Sequence, residues 1–190
     1  MRWLWIDRIL ALEPGRRLVA CKTISLSEPH LHQHFPASGD RPALPLAPAP
    51  LIIEGMAQTG GLLAGHARGF KHDVVLAKIR KAEIEFEVLP GATIEFEATL
   101  VAIDDQGASV DGVVRVMDPA WDAPRDLGVV DLMFAHVPAE RDPLLAAEAF
   151  RTLIAASVLA GGEGVGAMLL PSEPRAGARG PSPRWTQEVR

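Results

Sequence analysis

Residues 51–65 read LIIEGMAQTGGLLAG, an apolar run interrupted by a single charge, Glu54. Burying an unpaired carboxylate costs on the order of several kcal/mol, so such a group is neutralised, paired or put to use. Residues 51 to about 68 read as one helix. Pro50 suits its first turn, where a missing N–H costs nothing. A helix of about 18 residues would run ~27 Å. Gly55, Gly60, Gly61 and Gly65 weaken its intrinsic propensity, so packing must hold it, and the small residues would let a sheet approach closely. The partner that acid–base chemistry would require is a histidine, whose ordinary titration lies near neutrality; His34 stands upstream in His34-Phe35-Pro36.

Outward from that helix the period changes. Residues 36–50, PASGDRPALPLAPAP, are loop by their prolines. Residues 15–25, 74–89, 92–103, 108–117 and 127–137 are strand-like. The segments IEFEV and TIEFEATL alternate strictly, with one face for burial and one for water. Pro90-Gly91 and residues 104–107 are the turns between strands. A long buried helix followed by an antiparallel meander makes the fold class α+β, a curled sheet wrapped round a central helix. Residues 143–160 form a second amphipathic helix, and the Gly-, Pro-, Ser- and Arg-rich stretch beyond it is expected to be flexible. The expected organisation is a domain over residues 1–140, a C-terminal helix over 141–160 and a tail over 161–190.

A formal net charge of -5 over 190 residues excludes general nucleic-acid binding, which needs a basic footprint. Cys21 is the only cysteine, so no internal disulfide is expected. The opening MRWLWIDRILALEPG is broken by Asp7 and Arg8 and makes a poor signal peptide. No uncharged stretch of about 18 apolar residues suggests a membrane span. The default expectation is a soluble cytoplasmic protein.

HFP, a Pro-rich loop and then LIIEGMAQTGG resemble the FabZ/FabA-type 3-hydroxyacyl-(acyl carrier protein) dehydratases, whose pattern runs approximately HFPGxPxMPGxLIIEAMAQ. The opening WIDRILALEPGRRLVACKTIS and the later Val88-Leu89-Pro90-Gly91 are similar to that family too. The likeness covers roughly residues 3–137, and the combination is specific where HFP or PG alone would mean little. It implies the hotdog fold and a homodimer, or a hexamer built as a trimer of dimers, with the histidine from one subunit and the acid from the other. It also implies acyl carrier protein as the partner bearing the substrate, and no cofactor or metal.

The family reaction removes water from a 3-hydroxyacyl thioester in fatty acid synthesis, giving the trans-2-enoyl thioester. Carried over by position, His34 takes the α-proton and Glu54 orients or protonates the departing hydroxyl. Ala49 matches the glycine whose backbone N–H polarises the thioester carbonyl. A glutamate in the acid position is the FabZ-type choice and favours dehydration without double-bond isomerisation. Four departures from the pattern stand out. His34 and Glu54 are six residues further apart, alanine replaces glycine at 49, Glu83 and Glu85 precede the PG turn, and the chain has no tyrosine. Lys78, Arg80 and Lys81 are candidates to offset the two glutamates on a surface meeting an acidic carrier protein.

Other residues have plainer readings beside functional ones. Gln58, one turn after Glu54, either buttresses the carboxylate or caps a polar patch. Phe35, Leu51 and Met56 line an acyl tunnel or belong to an ordinary core. His30, His32 and His34 would share one face of a strand and could hold zinc, but the segment reads as loop. Cys21 is core, His66, His72 and His136 are surface residues, and Arg16, Arg17 and Lys22 form a solvated face. Two other functions remain open: a hotdog acyl-thioesterase, and a degenerate hotdog dimer that binds acyl chains without turnover.

Overall fold

The computed structural model describes residues 4–33, 35–85, 87–138, 148 and 150–155, the side chains of His32 and Gln33 excepted. Its elements in chain order are strands β1 (Arg8–Glu13) and β2 (Arg17–Thr23), helices α1 (Pro29–Gln33) and α2 (Ala49–Ala67), and strands β3 (Asp73–Ile84), β4 (Thr93–Ile103), β5 (Gly107–Met117) and β6 (Arg125–Val137). The six strands form one antiparallel sheet in the order β1-β2-β4-β5-β6-β3. Helix α2 lies in its curl and touches β2 to β6. This is the α+β hotdog arrangement expected from the sequence.

Helix α2 buries Ile52, Gly55, Met56, Thr59, Gly60, Leu63 and Ala64, spaced three and four apart, so one face meets the sheet. Thr59 is the buried polar side chain of that face, and its hydroxyl donates to the Gly55 carbonyl at 2.7 Å. The glycines set the distance of approach. A Cβ on Gly55 would overlap the ring of Phe96, and one on Gly60 would crowd the ring of Phe134 at 3.1 Å. Phe96, from β4, is fully buried under the helix with Ile94 beside it. In β4 the alternation of TIEFEATL appears directly, with Ile94, Phe96 and Ala98 buried and Glu95 and Glu97 on the other face.

The meander holds for β4, β5 and β6 only. Strand β3 pairs with β6, not with its sequence neighbour β4, and so occupies an edge of the sheet. It ends at Ile84, so IEFEV is not a strand; within that segment Phe86 lies outside the described residues. Strand β1 was not anticipated, and neither was α1, which replaces the expected loop around His30. Positions two apart on a helix do not share a face, so α1 removes the common strand face proposed for His30 and His32.

The expected second helix is described in part. Residues 148 and 150–155 are helical, and the tail over 161–190 lies outside the described residues. Phe150 packs against Phe70 and His66, with ring centroids 5.4 and 5.1 Å apart. His66 is therefore half-buried rather than on the surface, and burial holds its imidazole below the ordinary pKa. Cys21 is a buried free thiol. Arg17 is not merely solvated: with Arg115 it hydrogen-bonds Glu97, whose carboxyl is held down at about 2 by those two guanidinium groups.

Replacing Gly55 by alanine gains about 1 kcal/mol of helix propensity but forces the helix off Phe96. Gly55→Ala is expected to lose about 1–3 kcal/mol net in chemical denaturation, and adding Phe96→Leu to recover part of that loss. An alanine variant as stable as the parent would contradict this seating of α2.

Candidate active site

Glu54 projects from the second turn of α2 and is half-buried. Gln58, one helical turn on, donates from Nε2 to Glu54 Oε1 at 2.8 Å. The other end of that amide is fixed as well. Gln58 Oε1 accepts the backbone N–H of Trp5 at 2.8 Å and that of Ile6 at 3.4 Å. Two backbone donors require an acceptor, so the amide oxygen must face them and the NH2 group must face Glu54. Of the two readings of Gln58, the buttress is the one found. Gln58 is also the sole hydrogen-bond partner of the Glu54 side chain among the described residues, which leaves Oε2 for another occupant.

The loop ahead of α2 explains how six extra residues fit. Ser38 and Arg41 exchange backbone hydrogen bonds of 3.0 and 3.1 Å around Gly39, whose φ of +58° suits the tight turn. Closer to the base the Leu44 N–H donates to the Phe35 carbonyl at 3.0 Å. The excess length thus leaves the main path as a closed tongue and returns. Beyond it the Ala47 N–H donates to the Val88 carbonyl at 2.9 Å, and Leu46 is buried. The chain then enters α2 through Pro48, its N-cap.

Ala49 is the first residue of α2 and is exposed. Its N–H has no partner among the described residues, and Pro50 contributes none. Its φ is not positive, so the position imposes no need for glycine. The first turn of α2 therefore presents a free donor, with the dipole of a 19-residue helix behind it, one turn from Glu54.

Phe35 is exposed, Leu51 is half-buried, and Met56 is fully buried under the sheet against Gly112, as core rather than as a tunnel wall. His34 lies outside the described residues, so its distance to Glu54 is not part of this geometry. Of the three cations near the acidic turn, Arg80 is engaged with Ser109 and Asp111, and Lys81 with Glu83. Lys78 forms no ion pair among the described residues. No group of three or more metal-ligating side chains occurs among the described residues, and no described helix is long and apolar enough to cross a membrane. The residues alone did not reveal that the N-terminal segment reaches this site, because its contribution is two backbone N–H groups that no side-chain pattern shows.

Known proteins bear on this site. Residues 1–117 match the family described as FabA-like domain. The 3-hydroxyacyl-[acyl-carrier-protein] dehydratase FabZ of Magnetococcus marinus is 42% identical over 104 residues, covering 52% of this chain and 63% of that protein. The enzyme of the same name from Symbiobacterium thermophilum is 40% identical over 102 residues, covering 53% of this chain and 68% of that protein. The matched part thus spans about two thirds of the length of these relatives. Among solved structures, the dehydratase heterocomplex ApeI:P from Xenorhabdus doucetiae superposes with a TM-score of 0.55 at 16% identity, over 72% of this chain and 84% of that one. That likeness is one of fold.

If Gln58 is the tie between α2 and the N-terminal segment, Gln58→Leu orphans two backbone donors. The expected loss is about 1–3 kcal/mol, read by chemical denaturation; an unchanged midpoint would contradict the tie.

Proposed function

The chain belongs to the FabA-like family, and from that premise we propose that it removes water from 3-hydroxyacyl thioesters to give trans-2-enoyl thioesters. The observation that carries the reading is Glu54, clamped through one oxygen by Gln58 and free at the other, near the Ala49 N–H that has no partner among the described residues at the start of the helix. Both are what β-elimination next to a thioester requires.

In this reading the thioester carbonyl accepts the Ala49 N–H, and the charge that develops on its oxygen is stabilised there and by the helix dipole. The α-carbon is acidic only while that charge is stabilised. His34 takes the α-proton, the electron pair forms the C2–C3 double bond, and the C3–O bond breaks. The hydroxyl leaves as water with a proton from Oε2 of Glu54, the oxygen that Gln58 leaves open. Return of the proton from the imidazolium to the carboxylate, through solvent, resets the site. His34 takes this part by its place in His34-Phe35-Pro36 ahead of LIIEGMAQ. The roles of Leu51 and Phe35 are to line the acyl path.

The reading includes a homodimer with the histidine and the acid drawn from different subunits. Supporting it, β3 pairs on one side only among the described residues, and Val75, Leu76 and Ile79 stand exposed along its 12 residues. An apolar edge of that length is an aggregation hazard unless covered, and a second copy of the same edge covers both. The substrate is carried on acyl carrier protein, the partner named for the curated relatives.

The test is hydration of a crotonyl thioester, followed by loss of enoyl absorbance. The protein is expected to turn over the carrier-protein form, and His34→Ala to lower kcat by about 10²–10⁴-fold while leaving the dimer intact. No turnover with either carrier-protein or coenzyme A thioesters would overturn the reading. So would release of free thiol in place of hydration, the signature of a thioesterase.

A further inference from the structure

Helix α1 has only five residues, Pro29–Gln33, and the next residue in the chain is His34. A helix that short has no stability of its own. Its place is set by what grips it. One grip is Leu31, fully buried. The other is electrostatic and centres on Glu28, the residue immediately before the helix.

The two carboxylate oxygens of Glu28 have separate partners. Oε1 accepts Lys22 Nζ from strand β2 at 2.8 Å, and Oε2 faces His30 Nε2 from α1 at 3.1 Å. Oε2 and Nε2 are both buried and neither has a hydrogen-bond partner among the described residues; they face each other within ion-pair distance without hydrogen-bond geometry. The side chain of Glu28 is 16% exposed and that of Lys22 12%, far from the solvated face expected for Lys22. Lys22 also contacts Asp7 Oδ1 at 3.3 Å, and Asp7 Oδ2 accepts the Thr23 N–H at 2.8 Å. Trp5 closes the cluster from above: the Lys22 ammonium lies 4.9 Å from its ring centroid and the His30 ring 5.3 Å. The backbone of this same Trp5 holds Gln58 against Glu54. One N-terminal segment therefore braces both the carboxylate and the helix that leads into His34.

We propose that Glu28 is a positioning residue for His34, bridging Lys22 on β2 to His30 on α1 and so fixing the helix from which His34 follows. The inference rests on the reading of His34 as the base. The physical reason is leverage: His34 is one residue past a short helix, and a shift of about 1 Å in a reacting group can cost about 10²-fold in rate. A neutral amide in place of the carboxylate still fills the space but removes the charge that faces Lys22 and His30.

The experiment compares Glu28→Gln and His30→Gln with the parent protein in kcat, KM, melting temperature and the carbon–proton NMR signals of the His34 ring. The expected result is kcat lowered about 10- to 100-fold with KM within twofold of the parent, a folded dimer, and displaced His34 ring signals. His30→Gln keeps the Lys22–Glu28 pair and decides the matter if Glu28→Gln does not fold. A kcat within twofold of the parent in a folded variant, or His34 signals that stay in place, would overturn the proposal. An inactive parent would instead overturn the dehydratase reading, and the ring signals would still decide whether Glu28 positions His34.

Discussion

A carboxylate in an apolar helix needs a partner, and everything around Glu54 follows from how it gets one. Gln58 supplies the hydrogen bond, but an amide can turn over and offer its oxygen instead. It cannot do so here, because the Trp5 and Ile6 N–H groups hold that oxygen from the far side. The orientation of a side chain central to the site is thus set by the backbone of a segment some fifty positions away in sequence. Removing that segment would leave Gln58 with no preferred face and Glu54 with no fixed oxygen.

The sheet makes this possible by holding α2 close. Gly55 rests on Phe96 and Gly60 on Phe134, so the helix sits deep in the curl while its other side stays half-buried rather than sealed. Depth gives Glu54 a shielded setting. The N-terminal turn, entered through Pro48 and bearing the unengaged Ala49 N–H, remains open. The tongue around Gly39 closes on itself, so its extra length does not pull that turn out of place. A shielded acid, a locked amide and an open helix end are separate consequences of one packing geometry.

Much of this was legible in the sequence, for identifiable reasons. The α2 helix was readable because its small and apolar residues recur at helical spacing, and β4 because TIEFEATL separates a buried face from a wet one. The same alternation misled at IEFEV, because pairing with β6 stops at Ile84 and beyond it Glu85, outside any strand, makes one backbone hydrogen bond to Leu127. The partner of β3 was invisible because strand order is decided by pairing between distant segments, here with β6. Lys22 was read as solvated because its carboxylate partners, Asp7 and Glu28, come from segments whose convergence only the fold creates. For Gln58, the helical half of its role lay in the i,i+4 spacing; the half that involves Trp5 did not.

The central claim is that His34 and Glu54 are two halves of one acid–base site completed between two copies of the chain. Subunit mixing tests it most directly. His34→Ala and Glu54→Gln proteins are each purified, then unfolded and refolded together, and dehydratase activity is measured against each variant refolded alone. Mixed dimers of this kind contain one site with both groups intact. The account predicts that the mixture regains a substantial fraction of the parent activity while each variant alone stays inactive. A mixture that forms mixed dimers and remains as inactive as its components would contradict it.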